Sequence, residues 1–233
     1  MGWPVVLTSS GGIPVTQSLN GLGTPVDIAA NGIGTAVTLV GHGGIPVLGA
    51  ATVPVNLLQH SETFDQWAAS GASVNPDVAF DPVNGNLVAD RFIEATGTVQ
   101  HILTAQSVNF TSGLPYTFSV YAKYETAAFI QLVLGSPAFG LNAWGNFDVQ
   151  NGVLGTMGTA GIGQIANAGN GWFRCSISFS ATASASAVSA ISGANSASMT
   201  RAASYTGVAT NTRLLADAQV ETGAVANIYV PVP

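Results

Sequence analysis

The residues with the clearest potential for binding chemistry lie in one stretch, residues 135–146. Phe139 and Trp144 bracket a short segment that contains Asn142, and Asn146 follows it. Aromatic rings stack on the flat apolar face of a sugar, and neighbouring amides hydrogen-bond its hydroxyls without adding charge. The stretch therefore predicts a carbohydrate-binding site formed by these four residues. The alternative is that its aromatic side chains close the open end of a β-sandwich and contact no ligand.

Catalytic chemistry finds little support in the sequence. A glycosidase needs two carboxyl groups flanking the scissile bond, and the candidate pairs are Glu125 with Asp148 and Asp217 with Glu221. The second pair is separated by roughly 13 Å along one predicted strand, too far for either glycosidase geometry. Neither a nucleophile elbow nor a P-loop occurs in the sequence. We expect no catalytic residue and no enzymatic activity.

Metal and cofactor sites are not indicated either. The chain has three histidines, His42, His60 and His101, and none shows the spacing of a metal pair. Residues 161–166 fit the pattern G-x-G-x-x-A, but no buried strand precedes them and no helical pattern follows. The Asx-rich stretch 75–86, with Asp77 and Asp81, offers oxygen ligands for calcium, although such residues also form turns by bonding their own backbone. We expect no metal and no cofactor, and leave calcium at Asp77 and Asp81 open.

The overall composition excludes two further classes of protein. Charged residues make up 7% of the chain, against about 25% in an ordinary soluble domain. Five basic side chains and a net charge of -6 cannot neutralise a row of phosphates, so we expect no nucleic-acid partner. Apolar residues make up 47%, but no run approaches the roughly 18 residues that cross a bilayer. We expect a folded protein that does not insert into membranes.

Cysteine usage and the first residues bear on the cellular compartment. Cys175 is the one cysteine of the chain, so no intrachain disulfide forms. Residues 1–12 contain no basic region, and their apolar run is too short for a secretory signal. The sequence thus favours synthesis in a cytosol. A surface of small, uncharged residues then favours a particle that is assembled in that cytosol and released by lysis.

Residues 1–55 differ in composition from the rest of the chain. Asp27 is their single charged residue, and Pro-Val or Ala-Val dipeptides recur every 10 or 11 residues between Gly-rich turns. Proline is suited to strand starts and Asn-Gly to tight turns, so each unit predicts a short strand and a turn. Such repeats lack the large side chains of an independent core and gain stability by stacking on neighbours. We interpret residues 1–55 as an extended anchoring and oligomerising arm; a flexible linker and an integral part of the following domain are the alternatives.

From residue 56 to residue 233 the dominant pattern has a period of two. Three predicted inner faces consist of Tyr116, Phe118, Val120, Ala122 and Tyr124; Phe173, Cys175, Ile177, Phe179 and Ala181; and Leu214, Ala216, Ala218 and Val220. A hairpin is predicted in residues 146–154, turning at Asn151-Gly152. Many antiparallel strands at regular spacing predict an all-β fold, an antiparallel β-sandwich of the jelly-roll type, with Cys175 in its core.

Several motifs taken together resemble one protein family. They are Asn56-Leu57-Leu58, Ser61 to Phe64 with Trp67, Ala89-Asp90-Arg91, and the segments 116–123, 169–176, 218–223 and 229–231. In this order they resemble the carbohydrate-binding-module-type jelly-roll domains of tailed-bacteriophage virion proteins. The resemblance covers residues 56–233 and implies a non-enzymatic β-sandwich displayed as a fibre, spike or decoration.

The resemblance also implies partners and a location. It implies a homo-oligomer, a trimer in many members, that contacts other virion proteins of the capsid, neck or tail. The location is then the virion, after assembly in the host cytoplasm. The motifs are core and turn positions, so no sugar-binding residue of the family carries over. We therefore expect a structural virion appendage anchored by residues 1–55. A glycan-binding adhesin for host attachment is the alternative, and a polysaccharide depolymerase is less favoured.

Overall fold

The computed structural model describes residues 55–233. The arm predicted for residues 1–55 lies outside the described residues except for Val55, so its structure and its boundary stay predictions. The strands of the described part are β1 (Ala68–Ser70), β2 (Ala72–Phe80), β3 (Leu87–Glu94), β4 (Gly97–Val99), β5 (Ile102–Thr104), β6 (Val108–Phe110), β7 (Pro115–Tyr124), β8 (Phe129–Leu134), β9 (Trp144–Asp148), β10 (Val153–Met157), β11 (Ile162–Gly169), β12 (Trp172–Ser180), β13 (Ala185–Ala187), β14 (Ser189–Ala194), β15 (Tyr205–Gly207) and β16 (Thr212–Thr222).

These strands form two six-stranded antiparallel sheets. The first sheet has the order β1-β5-β14-β8-β9-β10 and the second the order β11-β12-β7-β16-β3-β2. Two-stranded ribbons pair β13 with β6 and β15 with β4. The helical segments are short: α1 (Ser136–Phe139) and 3-10 turns at Phe64–Gln66 and Gly140–Asn142. The antiparallel jelly-roll sandwich that the sequence predicts is thereby confirmed, and no helix within residues 55–233 has the length and apolar character to span a membrane.

The core lies between the sheets and follows the predicted alternation in the centre of the second sheet. Val120 of β7 pairs with Cys175 of β12, and Phe118 pairs with Ile177. All four side chains are fully buried, and burial raises the pKa of the Cys175 thiol well above its ordinary value. The interior position of Cys175 is confirmed. Phe173, at the end of the same face, is only half-buried.

The last long strand, β16, contains a β-bulge that the sequence did not indicate. Ala216 pairs with Tyr121 of β7, but the next paired residue is Gln219, opposite Ser119. Two residues of β16 therefore lie opposite one residue of β7, which is the defining feature of a bulge. Asp217, the first of the two, has a φ of 56°, a conformation that residues with a side chain seldom adopt.

The bulge moves the apolar residues of β16 from one face to the other. The predicted inner face is correct for Ala218 and Val220, which lie in the core between the sheets. It is wrong for Leu214 and Ala216, which pack in a smaller cluster on the outer face of the second sheet. Leu215 takes the inner position before the bulge. One extra residue thus inverts the period-two pattern within a single strand.

Part of the outer face of the second sheet is covered by the two ends of the described chain. Thr117 and Ser119 alternate with the inner residues of β7 and so lie on its outer face, yet both are fully buried. The Thr117 hydroxyl donates to the carbonyl oxygen of Gly223 at 2.9 Å. Asn56 Nδ2 donates to the carbonyl oxygen of Val230 at 3.0 Å. The covering segments therefore satisfy polar groups that would otherwise need water.

Candidate functional site

Phe139, the first residue of the predicted sugar site, lies in the interior. A helical turn begins at Ser136 with Pro137 in its first turn, and it directs Phe139 towards the core. The Phe139 ring is 5% exposed and packs edge-on against Phe110 and Tyr116, with ring centroids 4.8 Å and 6.0 Å away. The side chain therefore closes the end of the sandwich, which was the alternative interpretation, and it offers no surface for stacking a sugar.

Asn146 is also unavailable to a ligand. Its side chain is fully buried on the outer face of the first sheet. Nδ2 donates to the carbonyl oxygen of Met199 at 2.7 Å, and Oδ1 accepts from Gln131 Nε2 at 2.8 Å. Gln131 Oε1 in turn accepts from the backbone N–H of Ala202 at 2.6 Å. Asn146 therefore fastens a segment of its own chain over the first sheet, and its amide groups are already hydrogen-bonded within the protein.

Asn142 and Trp144 lie closer to solvent than the other two predicted residues. Asn142 is exposed and Trp144 is half-buried. Gly158 lies against both, since a Cβ at that glycine would be 3.1 Å from the indole Nε1 of Trp144 and would clash with the backbone oxygen of Asn142. The structure therefore divides the predicted site, with two residues inside and two near the surface. A role for Asn142 and Trp144 in sugar binding stays a prediction.

A different turn carries the aromatic ring that is most open to solvent in the described part of the chain. Residues 80–87 connect β2 with β3, and we call them the Phe80 turn. The Phe80 side chain is 65% exposed, against 36% for Tyr124, the next most exposed ring. Leu87 is the cross-strand partner of Phe80 and is 50% exposed, and Val83 is exposed at the tip. The turn therefore presents an apolar surface to solvent.

The backbone of the Phe80 turn is fixed by one carboxylate. Asp81 Oδ1 accepts the N–H groups of Val83 and Asn84 at 2.7 Å and 2.6 Å, and Oδ2 accepts the N–H of Asn86 at 2.7 Å. The N–H of Asp81 donates to the carbonyl oxygen of Asn86 at 2.8 Å, which closes the turn. Asp81 is buried. Turn formation therefore uses the oxygens that the sequence also offered to calcium, as Asx residues do in turns.

The exposed groups of the Phe80 turn are apolar surfaces and amides. The side chains of Asn84 and Asn86 are exposed, and Gly85 between them has a φ of 71°, which glycine adopts without strain. No charged side chain of the turn is exposed, because Asp81 is its one ionisable residue and is buried. An exposed ring with adjacent amides can stack on a sugar and hydrogen-bond its hydroxyls.

The Asx residues of the stretch 75–86 indicated turns or a calcium site. Nothing in that pattern was taken to indicate that the Phe80 ring is exposed. The signal that could have found it is the position of the phenylalanine directly before an Asx-Pro turn. Such a turn extends beyond the sheet, so the ring at its start stays in solvent beside its cross-strand partner Leu87. The ring most exposed among the described residues therefore lies outside the stretch 135–146 in which a sugar site was predicted.

The carboxyl groups considered for catalysis are occupied in structural contacts. Glu125 Oε2 accepts from Arg91 Nε at 2.7 Å, and this ion pair holds the pKa of Glu125 below its ordinary value. Asp148 accepts the N–H groups of Gln150 and Asn151 at 3.0 Å each, in the predicted hairpin turn. Glu221 accepts from the side chain of its neighbour Gln219 at 2.8 Å. These carboxylates are thus engaged in an ion pair, a turn and a side-chain hydrogen bond.

Asp217 differs from these carboxyl groups because neither of its oxygens has a hydrogen-bond partner. Its side chain is fully buried in the β16 bulge. Burial raises the pKa of Asp217 to about 8, and the negative charges of Asp81 and Glu62 add to the shift, while Arg174 opposes it. The group is therefore protonated at neutral pH. Within residues 55–233 no cluster of three or more His, Cys, Asp or Glu has the arrangement of a metal site.

Comparison with known proteins gives likenesses of fold. No protein-family model and no curated protein matches the chain. One similar solved structure contains the CBM22-1 and GH10 modules of Clostridium thermocellum endo-1,4-beta-D-xylanase 10B in complex with xylohexaose. Its identity to the present chain is 14% and its TM-score is 0.43. The alignment covers 76% of this chain and 30% of that two-module chain.

Two single-module structures are covered almost completely. The CBM22-1 xylan-binding domain from a Paenibacillus barcinonensis xylanase shows 16% identity and a TM-score of 0.39, with 76% of this chain and 100% of that chain covered. A CBM61 module in complex with beta-1,4-galactotriose shows 12% identity and a TM-score of 0.38, with 72% and 99% covered. These are carbohydrate-binding modules, and identities this low transfer no residue's role to the present chain.

Proposed function

We propose that residues 55–233 form a non-catalytic glycan-binding domain whose binding surface is the Phe80 turn. One observation carries the proposal: a largely exposed phenyl ring lies on a turn that Asp81 holds rigid, with exposed amides beside it. A turn whose backbone is held before binding loses little conformational entropy when a sugar stacks on its exposed ring. The absence of exposed charge in the turn favours a neutral sugar over an anionic one.

A surface of this size binds one sugar chain weakly. Stacking on one ring with a few neutral hydrogen bonds supports a dissociation constant of about 1 mM, or about 4 kcal/mol. Useful adhesion then requires many copies on one particle, since linked sites bind with much greater apparent affinity. The proposal therefore needs a multivalent display of the domain.

The first experiment measures binding of the full chain to soluble neutral glycans, with xylohexaose, galactotriose and extracted bacterial surface polysaccharide as probes. We expect Phe80→Ala to weaken the affinity at least tenfold without changing the melting temperature. The matched control is Leu141→Ala, which removes an equally exposed apolar side chain beside Asn142. Equal loss in both variants, or loss in the control alone, contradicts the proposed surface. Release of sugar fragments during the titration contradicts the non-catalytic assignment.

We also propose that the domain is displayed on a bacteriophage particle as a structural appendage, with residues 1–55 attached to another virion protein and joining copies as a trimer. The supporting observations are the repeat pattern of that segment and a charged fraction of 7%, which reduces repulsion between packed copies. Antibody against residues 55–233 should detect the protein in purified particles assembled in host cells. Deletion of residues 1–54 should leave it in the soluble fraction, and incorporation of the deleted form contradicts anchoring through that segment.

A further inference from the structure

The two sheets of the sandwich end in strands with one unpaired side, and these edges differ in how they are protected. Within the described residues the edge strands are β1 and β10 in the first sheet and β2 and β11 in the second. An edge strand presents unpaired N–H and C=O groups and is a template for pairing with another chain. Proteins block such edges with short strands, prolines, charges and bulges.

Three of the four edges carry these protective features. Strand β1 has only three residues. Strand β2 contains Pro76 and Asp77, and its register with β3 shifts twice. Strand β10 has five residues and a register shift between Leu154 and Met157. Continuous pairing with a second chain is therefore hindered at each of these edges.

The fourth edge, β11, has none of these features over most of its length. It pairs in uninterrupted register with β12 from Ile162 to Asn167, and the irregularity begins only after Asn167. The strand contains no proline and no charged residue. No Asp, Glu, Lys or Arg occurs anywhere between Asp148 and Arg174, a stretch that also includes the edge strand β10. The two edge strands on this side therefore carry no charge of their own, and a half-buried arginine, Arg174 of β12, is the cross-strand partner of Ala166.

These two edge strands also expose apolar side chains. Ile162 of β11 is 55% exposed and Val153 of the neighbouring β10 is 54% exposed. Leu154 of β10 and Gly163 of β11 lie in contact across the gap between the two edge strands, since a Cβ at that glycine would be 2.9 Å from the leucine side chain. The two edges thus lie side by side, and Ile162, which pairs with Ser178, is exposed on the outer face of the second sheet.

We propose that β11 pairs antiparallel with β11 of a second copy of this chain, so that the second sheets of two copies join edge to edge. A strand related to itself by a two-fold axis is antiparallel to its partner, so the outward N–H and C=O groups of one copy meet those of the other.

The distribution of charge favours a second copy of this chain as the partner of β11. Two copies of this net negative chain can meet at β11 without bringing acidic side chains together, because neither β11 nor the neighbouring β10 contains one. A basic or acidic partner would gain nothing from such a surface. The contact is independent of glycan binding and of any association through residues 1–55.

Cysteine crosslinking of the full chain locates the contact. The native thiol, Cys175, is fully buried, so it does not compete with an introduced cysteine. We introduce Ile162→Cys, Gln164→Cys and Ala166→Cys one at a time, each at an exposed position of β11. Under mild oxidation the variant nearest the two-fold axis should form a covalent dimer in high yield. Asn75→Cys, at an exposed position of the opposite edge strand β2, is the control and should stay uncrosslinked.

Sedimentation equilibrium of the full chain provides the second measurement. Adding positive charge with Gln164→Lys and Ala166→Lys places like charges across the two-fold axis, and we expect the dimer to weaken at least tenfold. Asn75→Lys, with the same charge at the other edge, should leave association unchanged. If residues 1–55 join three copies, the masses of the associated and the dissociated species both increase threefold. The ratio of these two masses, which reports pairing through β11, stays the same.

Two results overturn the proposal. One is that none of the three β11 cysteine variants forms more covalent dimer than the control variant Asn75→Cys. The other is a mass distribution of the double lysine variant that matches the wild type, with circular dichroism showing that both are folded. A variant that loses its circular dichroism signal is replaced by Gln164→Lys alone, which changes one exposed side chain.

Discussion

Two turns of this molecule have similar residue types and opposite orientations. Residues 135–146 and the Phe80 turn both combine phenylalanine, asparagine, proline and glycine. The first connects β8 and β9, which lie within the first sheet, whereas the second connects β3 with the edge strand β2. A ring beside inner strands has a core to enter, and Phe139 enters it. A ring on a turn at the edge has no facing sheet, and Phe80 stays in solvent.

The same difference applies to the amides of the two turns. Asn146 lies on a sheet face that residues 199–202 cover, and its hydrogen bonds go to that segment and to Gln131. Asn84 and Asn86 lie on a turn whose backbone is bonded by Asp81, so their side chains are left free. Whether a polar side chain serves the fold or a ligand is thus decided by what covers it, and residue type alone does not show that.

The largest effect is expected for Phe139→Ala. The ring fills the end of the core against Phe110 and Tyr116, so its removal should lower the free energy of unfolding by about 3–5 kcal/mol. The affinity of the remaining folded molecules for glycan should stay unchanged. Urea denaturation measures the loss of stability. A loss below about 1 kcal/mol would contradict the core position of Phe139.

The second prediction concerns pH and Asp217, whose neighbour Asp81 holds the Phe80 turn. The pKa of Asp217 is raised by burial from 3.8 to about 8, so the folded state binds more protons than the unfolded state between these values. Stability from this group is therefore greatest below about pH 4 and falls as pH rises towards 8, by up to about 1.4 kcal/mol per pH unit. Asp217→Asn should remove this dependence.

The pH experiment is best performed between pH 6 and 8. Burial also raises the pKa of Asp90, to about 6, so its contribution falls mainly below this window. The free energy of unfolding of the wild type should fall relative to Asp217→Asn by about 2 kcal/mol across the window. All groups other than residue 217 are the same in the two proteins, so the comparison isolates the contribution of Asp217. Parallel pH profiles of the two proteins would show that Asp217 is ionised in the folded state.

The third prediction concerns the rigidity of the Phe80 turn. Asp81→Ala removes the acceptor of three backbone N–H groups, and we expect a loss of about 2–3 kcal/mol of stability. Hydrogen exchange at the amides of Val83, Asn84 and Asn86 should accelerate, and glycan affinity should fall because the ring is no longer held. The control is Asp65→Ala, at an exposed acid elsewhere. Unchanged exchange at the three amides would mean that Asp81 does not hold the turn.

The sequence predicted the central strands well and the loops poorly, for identifiable reasons. Alternation in β7 and β12 was sufficient to place Val120 and Cys175 in the core, because one face of each strand is continuously apolar. The bulge at Asp217 carries no glycine that would mark it. The buried ion pair between Arg213 and Glu94, 2.7 Å apart, joins residues far apart in sequence, so no local pattern could indicate it.

The four residues predicted to bind sugar differ in exposure, which the sequence did not indicate. Aromatic rings with amides suggested a sugar surface, and half of the residues chosen for it, Phe139 and Asn146, are buried. The direction of a side chain on a loop depends on where the sheets end and on which segments cover them. Those features arise from strand order, which the sequence does not display.

The most direct test of the central claim is an aromatic NMR titration of the full chain with labelled phenylalanine and tryptophan. The Phe80 ring signals, identified by their loss in Phe80→Leu, should shift as neutral glycan is added, because a stacked sugar changes the environment of the ring. The Phe139 signals should not move. Shifts at the Trp144 indole with an unchanged Phe80 ring would contradict the account and return the site to residues 135–146.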